Sequence, residues 1–235
     1  MKTTTFSMIK KTTTLLLLLF VAITTLAESS VSFDRTGQLR LPDAELLNKA
    51  RHAHQDNRPD EALGYLLQAA RFGSNQAKAS VAQHLLEDQT KEHDQWLDAL
   101  AWLLLLQQEN TGYDPATCHR IIDSLKQKLS SEELAAAEQK TTLLHHTYGA
   151  AAALQYRQDW RQNLRFTGSR IAGYIPNNLT VIPVEDGRPG TLTINLTGQQ
   201  IRQQLDAFVN TYPNHNQVKK QTMMALMKLS QTSKK

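Results

Sequence analysis

Arg157, Trp160, Arg161, Arg165 and Arg170 form the densest recognition chemistry in the sequence. Arg157, Arg161 and Arg165 recur at i, i+4 and i+8, a spacing that on a helix sets three guanidiniums on one face beside an indole. A guanidinium is a planar fork of donors that matches carboxylate and phosphate oxygens, so such a row suits an acidic partner segment or an anionic ligand. No acid stands four residues after Arg161 or Arg165 to neutralise it along the helix. The competing use of the same residues is a solvated helix face with Trp160 turned into the core.

The other reactive side chains do not assemble into a reaction. His145 and His146 are adjacent, so on a helix they diverge by about 100°, and His52 with His54 is no better placed to share a metal. Glu132 and Glu133 point different ways for the same reason, and a helix-start role accounts for them. The single cysteine, Cys118, excludes an internal disulfide and any cysteine-built zinc site; it reads as a small buried side chain, with intermolecular pairing as the alternative. No serine sits in a nucleophile elbow and no glycine-rich loop cradles phosphate. The expectation is a chain with no catalytic residues, no cofactor and no metal.

The elements that would position these residues are mainly helical. Glu61-Ala62-Leu63-Gly64-Tyr65-Leu66-Leu67 aligns with Asp98-Ala99-Leu100-Ala101-Trp102-Leu103-Leu104 at an offset of 37, a period typical of helical solenoids. An amphipathic segment precedes each copy, Ala44 to Gln55 and Gln76 to Glu87, which predicts two helical hairpins. Pro59 with Asp60 and Glu61 suits a helix start, and Gly73 a helix stop. Two further helices are expected between Pro115 and Tyr148, the second starting at Ser130.

The run Ala62, Tyr65, Leu66, Leu67, Ala69, Ala70, Gly73, followed by Ala77 and Ala79, resembles the Sel-one-like repeat family, a branch of the tetratricopeptide-like α-solenoids. The second copy departs from that pattern, with Leu106-Gln107 for the alanine pair and Asn110 for the glycine. Ala101-Trp102-Leu103 followed by Leu129-Ser130-Ser131-Glu132-Glu133-Leu134 looks like the longer closing helix pair of that family, so the resemblance covers roughly Asp43 to Tyr148. It implies a protein-interaction scaffold without catalysis of its own.

Beyond Ala150 the pattern changes. After a helix to Leu164, the runs Thr180 to Val184 and Thr191 to Leu196 flank the turn formers Glu185-Asp186-Gly187-Arg188-Pro189-Gly190 and predict a β-hairpin. Pro183 demotes its strand to an edge. Ile201, Leu205 and Phe208 suggest a last short helix. The fold expected is therefore mainly α, a short α-solenoid of helical hairpins with a small C-terminal α+β segment.

The first 27 residues have the layout of a secretory signal, with Lys2, Lys10 and Lys11, an apolar run from Leu15 to Ile23, and small residues before a cleavage point after Ala27. That apolar run is far short of the roughly 20 residues a membrane-spanning helix needs. Without those three lysines the chain carries 23 basic and 22 acidic groups, and the five lysines after Asp206 leave Glu28 to Asp206 with 18 basic against 22 acidic. An acidic body whose basic end has no aromatic after Tyr212 does not suit nucleic acid.

The domain reading is a signal at 1–27, an extended N-terminal linker at 28–42, a helical repeat domain at 43–149, a helix plus hairpin region at 150–213, and a basic flexible tail at 214–235. Export, repeats and the missing catalytic set together point to a periplasmic or secreted adaptor. It would bind a protein partner in the cell envelope through Arg157, Trp160, Arg161, Arg165 and Arg170. The alternatives are a small-ligand binder or enzyme using a cleft between the repeats and the C-terminal region, and a membrane-tethered envelope structural protein.

Overall fold

The structure is a computed structural model and describes residues 31–87, 94–109, 115–166, 169–185, 188–189, 193–211 and 218–231. The expected signal at 1–27 lies outside the described residues. The fold is mainly α, with a small antiparallel hairpin near the C-terminus.

Helices α1 (Pro42–Gln55) and α2 (Pro59–Arg71) both begin with proline followed by acids in the first turn. Proline loses nothing there because its missing N–H would have no partner, and the acids meet the positive end of the helix dipole. α2 stops at Gly73, whose φ of 96° is a left-handed conformation that glycine adopts without cost. The Ser74 N–H donates to Ala69 O and the Gly73 N–H to Ala70 O, the paired bonds of a Schellman motif.

Helices α3 (Asn75–Glu87) and α4 (Asp94–Gln108) follow, and the chain stacks α1 on α2, α2 on α3 and α3 on α4. Alanines permit the close approach: Ala62, Ala69, Ala70, Ala77, Ala79 and Ala82 are all buried, with Phe72, Leu100, Leu103 and Leu106 filling the space around them. Positions 37 apart share burial at Ala62 and Ala99, Leu66 and Leu103, and Ala69 and Leu106. Tyr65 and Trp102 differ in depth. Tyr65 is half-buried and its hydroxyl donates to Glu61, whereas Trp102 is buried with its ring centroid 4.7 Å from that of Tyr148.

α4 is the hub of the next layer and touches both α5 (Pro115–Lys126) and α6 (Ser131–Tyr148). α6 starts with a capping box, in which the Glu133 N–H donates to Ser130 Oγ and the Ser130 N–H to Glu133 Oε2. α7 (Ala150–Asn163) packs on α2 and α6, and α8 (Gly198–Thr211) on α7. The Phe72 ring meets Tyr156, Trp160 and Phe208 at centroid distances of 4.8, 5.9 and 5.9 Å, so the helices before and after Gly149 share one core. A domain boundary at Gly149 is therefore not a boundary of packing.

The hairpin pairs β1 (Asn178–Val181) with β4 (Ile194–Thr197), Leu179 opposite Leu196 and Val181 opposite Ile194. A shorter inner ladder pairs β2 (Val184–Glu185) with β3 (Arg188–Pro189). Pro183 falls in the break between the ladders, where its missing N–H leaves no rung empty. The turn residues Asp186 and Gly187 lie outside the described residues. Ile201, Leu205 and Phe208 are buried on α8.

Two segments differ from the sequence expectation. The linker expected over 28–42 is folded where it is described: Phe33 bridges Leu39, and Phe33 is 4% exposed. Asp34 closes that loop by accepting from Thr36 Oγ1 and from the Thr36 and Gln38 N–H groups, and the bond from Thr36 chiefly holds its carboxyl below the usual carboxylate range. The basic tail expected over 214–235 contains α9 (Lys220–Gln231), which packs on α3 and α5 with Thr222, Met223, Leu226 and Ser230 buried. Its lysines led to an expectation of solvation, but the buried residues between them repeat at helical spacing and form one face.

Candidate functional site

The arginine row does not survive folding as one exposed face. Arg157 is 2% exposed; its Nε donates to Val209 O at 3.0 Å and its Nη1 to Phe72 O at 2.6 Å. These are two carbonyls at helix ends, left over by α8 and α2, so the guanidinium ties three helices together from inside. Trp160 is buried edge-on to Phe72 and Phe208. Arg161 does find an acid, Asp206 of α8 at 2.8 Å, which the sequence spacing along one helix could not reveal. Arg165 falls beyond the end of α7, and Arg170 lies in the turn after it; both are exposed. Of the five residues, Arg161, Arg165 and Arg170 keep access to solvent.

A second ionic feature lies deeper. Lys78 of α3 is 1% exposed and forms a salt bridge with Glu109, just past the end of α4, whose side chain is 8% exposed. Burial pushes the Lys78 ammonium below its ordinary range and the Glu109 carboxylate partly offsets this, while the charge of nearby Arg157 adds to the lowering. Glu109 Oε1 is buried without a hydrogen-bond partner. The pair is not visible in the sequence, because 31 residues separate the two and no local spacing joins them.

Among the described residues a cleft of about 290 Å³ lies between α1, α2, α3 and the start of α9. Arg51 and His54 of α1, Leu66 of α2, Ser80 and His84 of α3, and Lys219 before α9 all line it. Gln76 builds its floor. Its Oε1 accepts from the Lys219 N–H at 2.6 Å and its Nε2 donates to Thr222 Oγ1 at 2.8 Å, so one side chain anchors the first turn of α9 to α3. At the other end of α9, Ser124 Oγ of α5 donates to Ser230 O at 2.8 Å.

Among the described residues no group of three or more His, Cys, Asp or Glu side chains is placed to hold a metal, and no helix is long and apolar enough to cross a membrane. The Cys118 thiol is buried within α5. The cleft residues came from the sequence only as scattered surface histidines and tail lysines. Arg51 and His54, three residues apart on α1, were the available signal for one shared face. Comparison of the chain with family models, with curated proteins and with solved structures gives no match.

Proposed function

We propose that the chain is an exported, non-catalytic protein-interaction scaffold of the bacterial periplasm, built on Sel-one-like helical repeats. The observation that carries this reading is α9. An amphipathic helix from the far end of the chain lies across α3 and α5, held by buried Met223 and Leu226 and by polar ties at both ends. The stacked helices thus already hold one amphipathic helix of this chain, and capture of a partner's helix would use the same apolar packing, a recurring mode of recognition. The stacked alanine-rich pairs α1/α2 and α3/α4 support the scaffold part of the reading, since such units present extended faces.

The test is site-specific photo-crosslinking in intact cells, with the reactive residue at Gln83 on the cleft side of α3 and, separately, at exposed Leu143 on α6. Expected is one discrete envelope protein crosslinked from Gln83 and recovered from the periplasmic fraction. Adducts from neither position, or the chain retained in the cytoplasm, would remove the proposal. A second reading, ligand binding in the cleft, is favoured by the cleft itself.

A further inference from the structure

We infer that the cleft bounded by α1, α3 and the start of α9 is a binding site for a small polycarboxylate, which would bridge α1 to α9. The inference rests on the second reading, ligand binding in the cleft, and deepens it by naming the class of ligand. Among the described residues Arg51 and Lys219 line the cleft with His54 and His84, against one acid, Glu87. From Glu28 to the last residue the chain has 23 basic and 22 acidic groups, so the cleft is a local excess of positive charge on a nearly neutral body. Glu87 is moreover engaged by its own helix, its Oε1 accepting from Gln83 Nε2 at 2.7 Å.

Arg51 and His54 stand three residues apart on α1 and so project together, while Lys219 approaches from the other wall on a different element. Cations on opposite walls suit a ligand with more than one carboxylate, because each wall can then meet its own oxyanion. Ser80 Oγ accepts from Gln76 Nε2 at 3.1 Å, which leaves its hydroxyl proton to donate into the cleft. Leu47 and Leu66 supply an apolar wall for a short carbon skeleton. The volume, about 290 Å³, sits at the small end of ligand pockets, roughly 300 to 1,000 Å³, and favours a compact molecule over a long peptide.

Citrate serves as the probe, titrated calorimetrically into the purified chain at low and at physiological salt. Expected is saturable binding of one citrate per chain, weakened at least tenfold in the double variant Arg51→Gln/Lys219→Gln. The control double variant Lys126→Gln/Lys228→Gln, which removes the same charge from exposed positions outside the cleft, should bind as the wild type does. Circular dichroism of both variants should match the wild type, since all four side chains are exposed.

Four results would each overturn the inference: no saturable citrate binding, an equal loss in both double variants, inorganic phosphate binding as tightly as citrate, or a hexaglutamate peptide binding more than tenfold tighter. The second would mean diffuse charge, the third a site for a single oxyanion, and the fourth an acidic-peptide site. Failure here leaves the scaffold reading standing, because that reading is decided by crosslinking from α3.

Discussion

Lys78 and Glu109 offer the sharpest test of the interior. Both side chains are nearly sealed from water, so each charge depends on the other, with an interaction of about 4 kcal/mol at contact range for an effective dielectric near 20. Lys78→Met keeps most of the volume but strands the Glu109 carboxylate, which already has one unpartnered oxygen. Breaking a buried pair from one side costs about 3 to 5 kcal/mol. Glu109→Leu should cost a similar amount, because Lys78 then faces only Arg157, a like charge. The double variant Lys78→Met/Glu109→Leu removes both desolvation penalties and should lie within about 2 kcal/mol of wild type, on either side. The pair therefore predicts a coupling energy well above about 2 kcal/mol in a double-mutant cycle read by urea unfolding.

The pH dependence carries the opposite signature to a surface salt bridge. The folded-state pKa of Lys78 is lowered from its ordinary 10.5, so between that lowered value and 10.5 the unfolded chain binds more protons. Stability contributed by this site rises with pH through that window. Burial raises Tyr148 and Tyr156 above their ordinary 10.0, which makes the unfolded chain release those protons first and lowers stability above about pH 10. The two effects separate when wild type and the double variant are compared: wild type should gain stability relative to the variant as the solution becomes alkaline. A coupling energy below about 1 kcal/mol, or parallel pH profiles, would refute the buried pair.

Two further outcomes follow from packing. Trp102→Ala should cost about 3 to 5 kcal/mol in urea melts, because the ring is buried against Tyr148, whereas Tyr65→Ala at the aligned position should cost markedly less. Gln76→Ala removes both side-chain ties to the start of α9, so amide exchange in residues 220–226 should accelerate by roughly tenfold or more while exchange in α4 is unchanged; uniform exchange rates would show that Gln76 does not anchor α9.

The helix starts and stops were legible because each is decided within a few residues. Pro59, Gly73 and Ser130 act on their own turns, and the structure finds them there. The hairpin was legible for the same reason, as alternating β-prone runs around turn formers. What the sequence hid is the identity of neighbours brought together by folding. Arg157 read as part of a surface row until the carbonyls of Phe72 and Val209 claimed it, and Arg161 read as unneutralised until α8 brought Asp206 alongside. α9 was masked by composition: five lysines and no acids after Asp206 suggest a solvated end, although Met223 and Leu226 sit where a helix needs them. The cleft was out of reach because Arg51 and Lys219 are 168 positions apart in the chain.

The loop at Phe33 has a consequence for the order in which the chain can be completed. The Leu39 N–H donates to Gln204 Oε1, and Gln204 Nε2 donates to Gly37 O at 3.0 Å, across separations of 165 and 167 residues. A polypeptide made from its N-terminus carries residues 31–41 from the outset, with Ser32 Oγ donating to Glu45 of α1, but must wait for α8 before the two bonds to Gln204 can form. The neighbouring helix pairs need no such wait, since their contacts are local and fast to form. Residues 31–41 therefore dock among the last, as a seal on an otherwise assembled molecule. Pulse-labelling during refolding should find their amides protected after those of α2 and α3. Until α8 arrives residues 31–41 lack their long-range bonds, which makes that interval the time of their own greatest exposure to proteases.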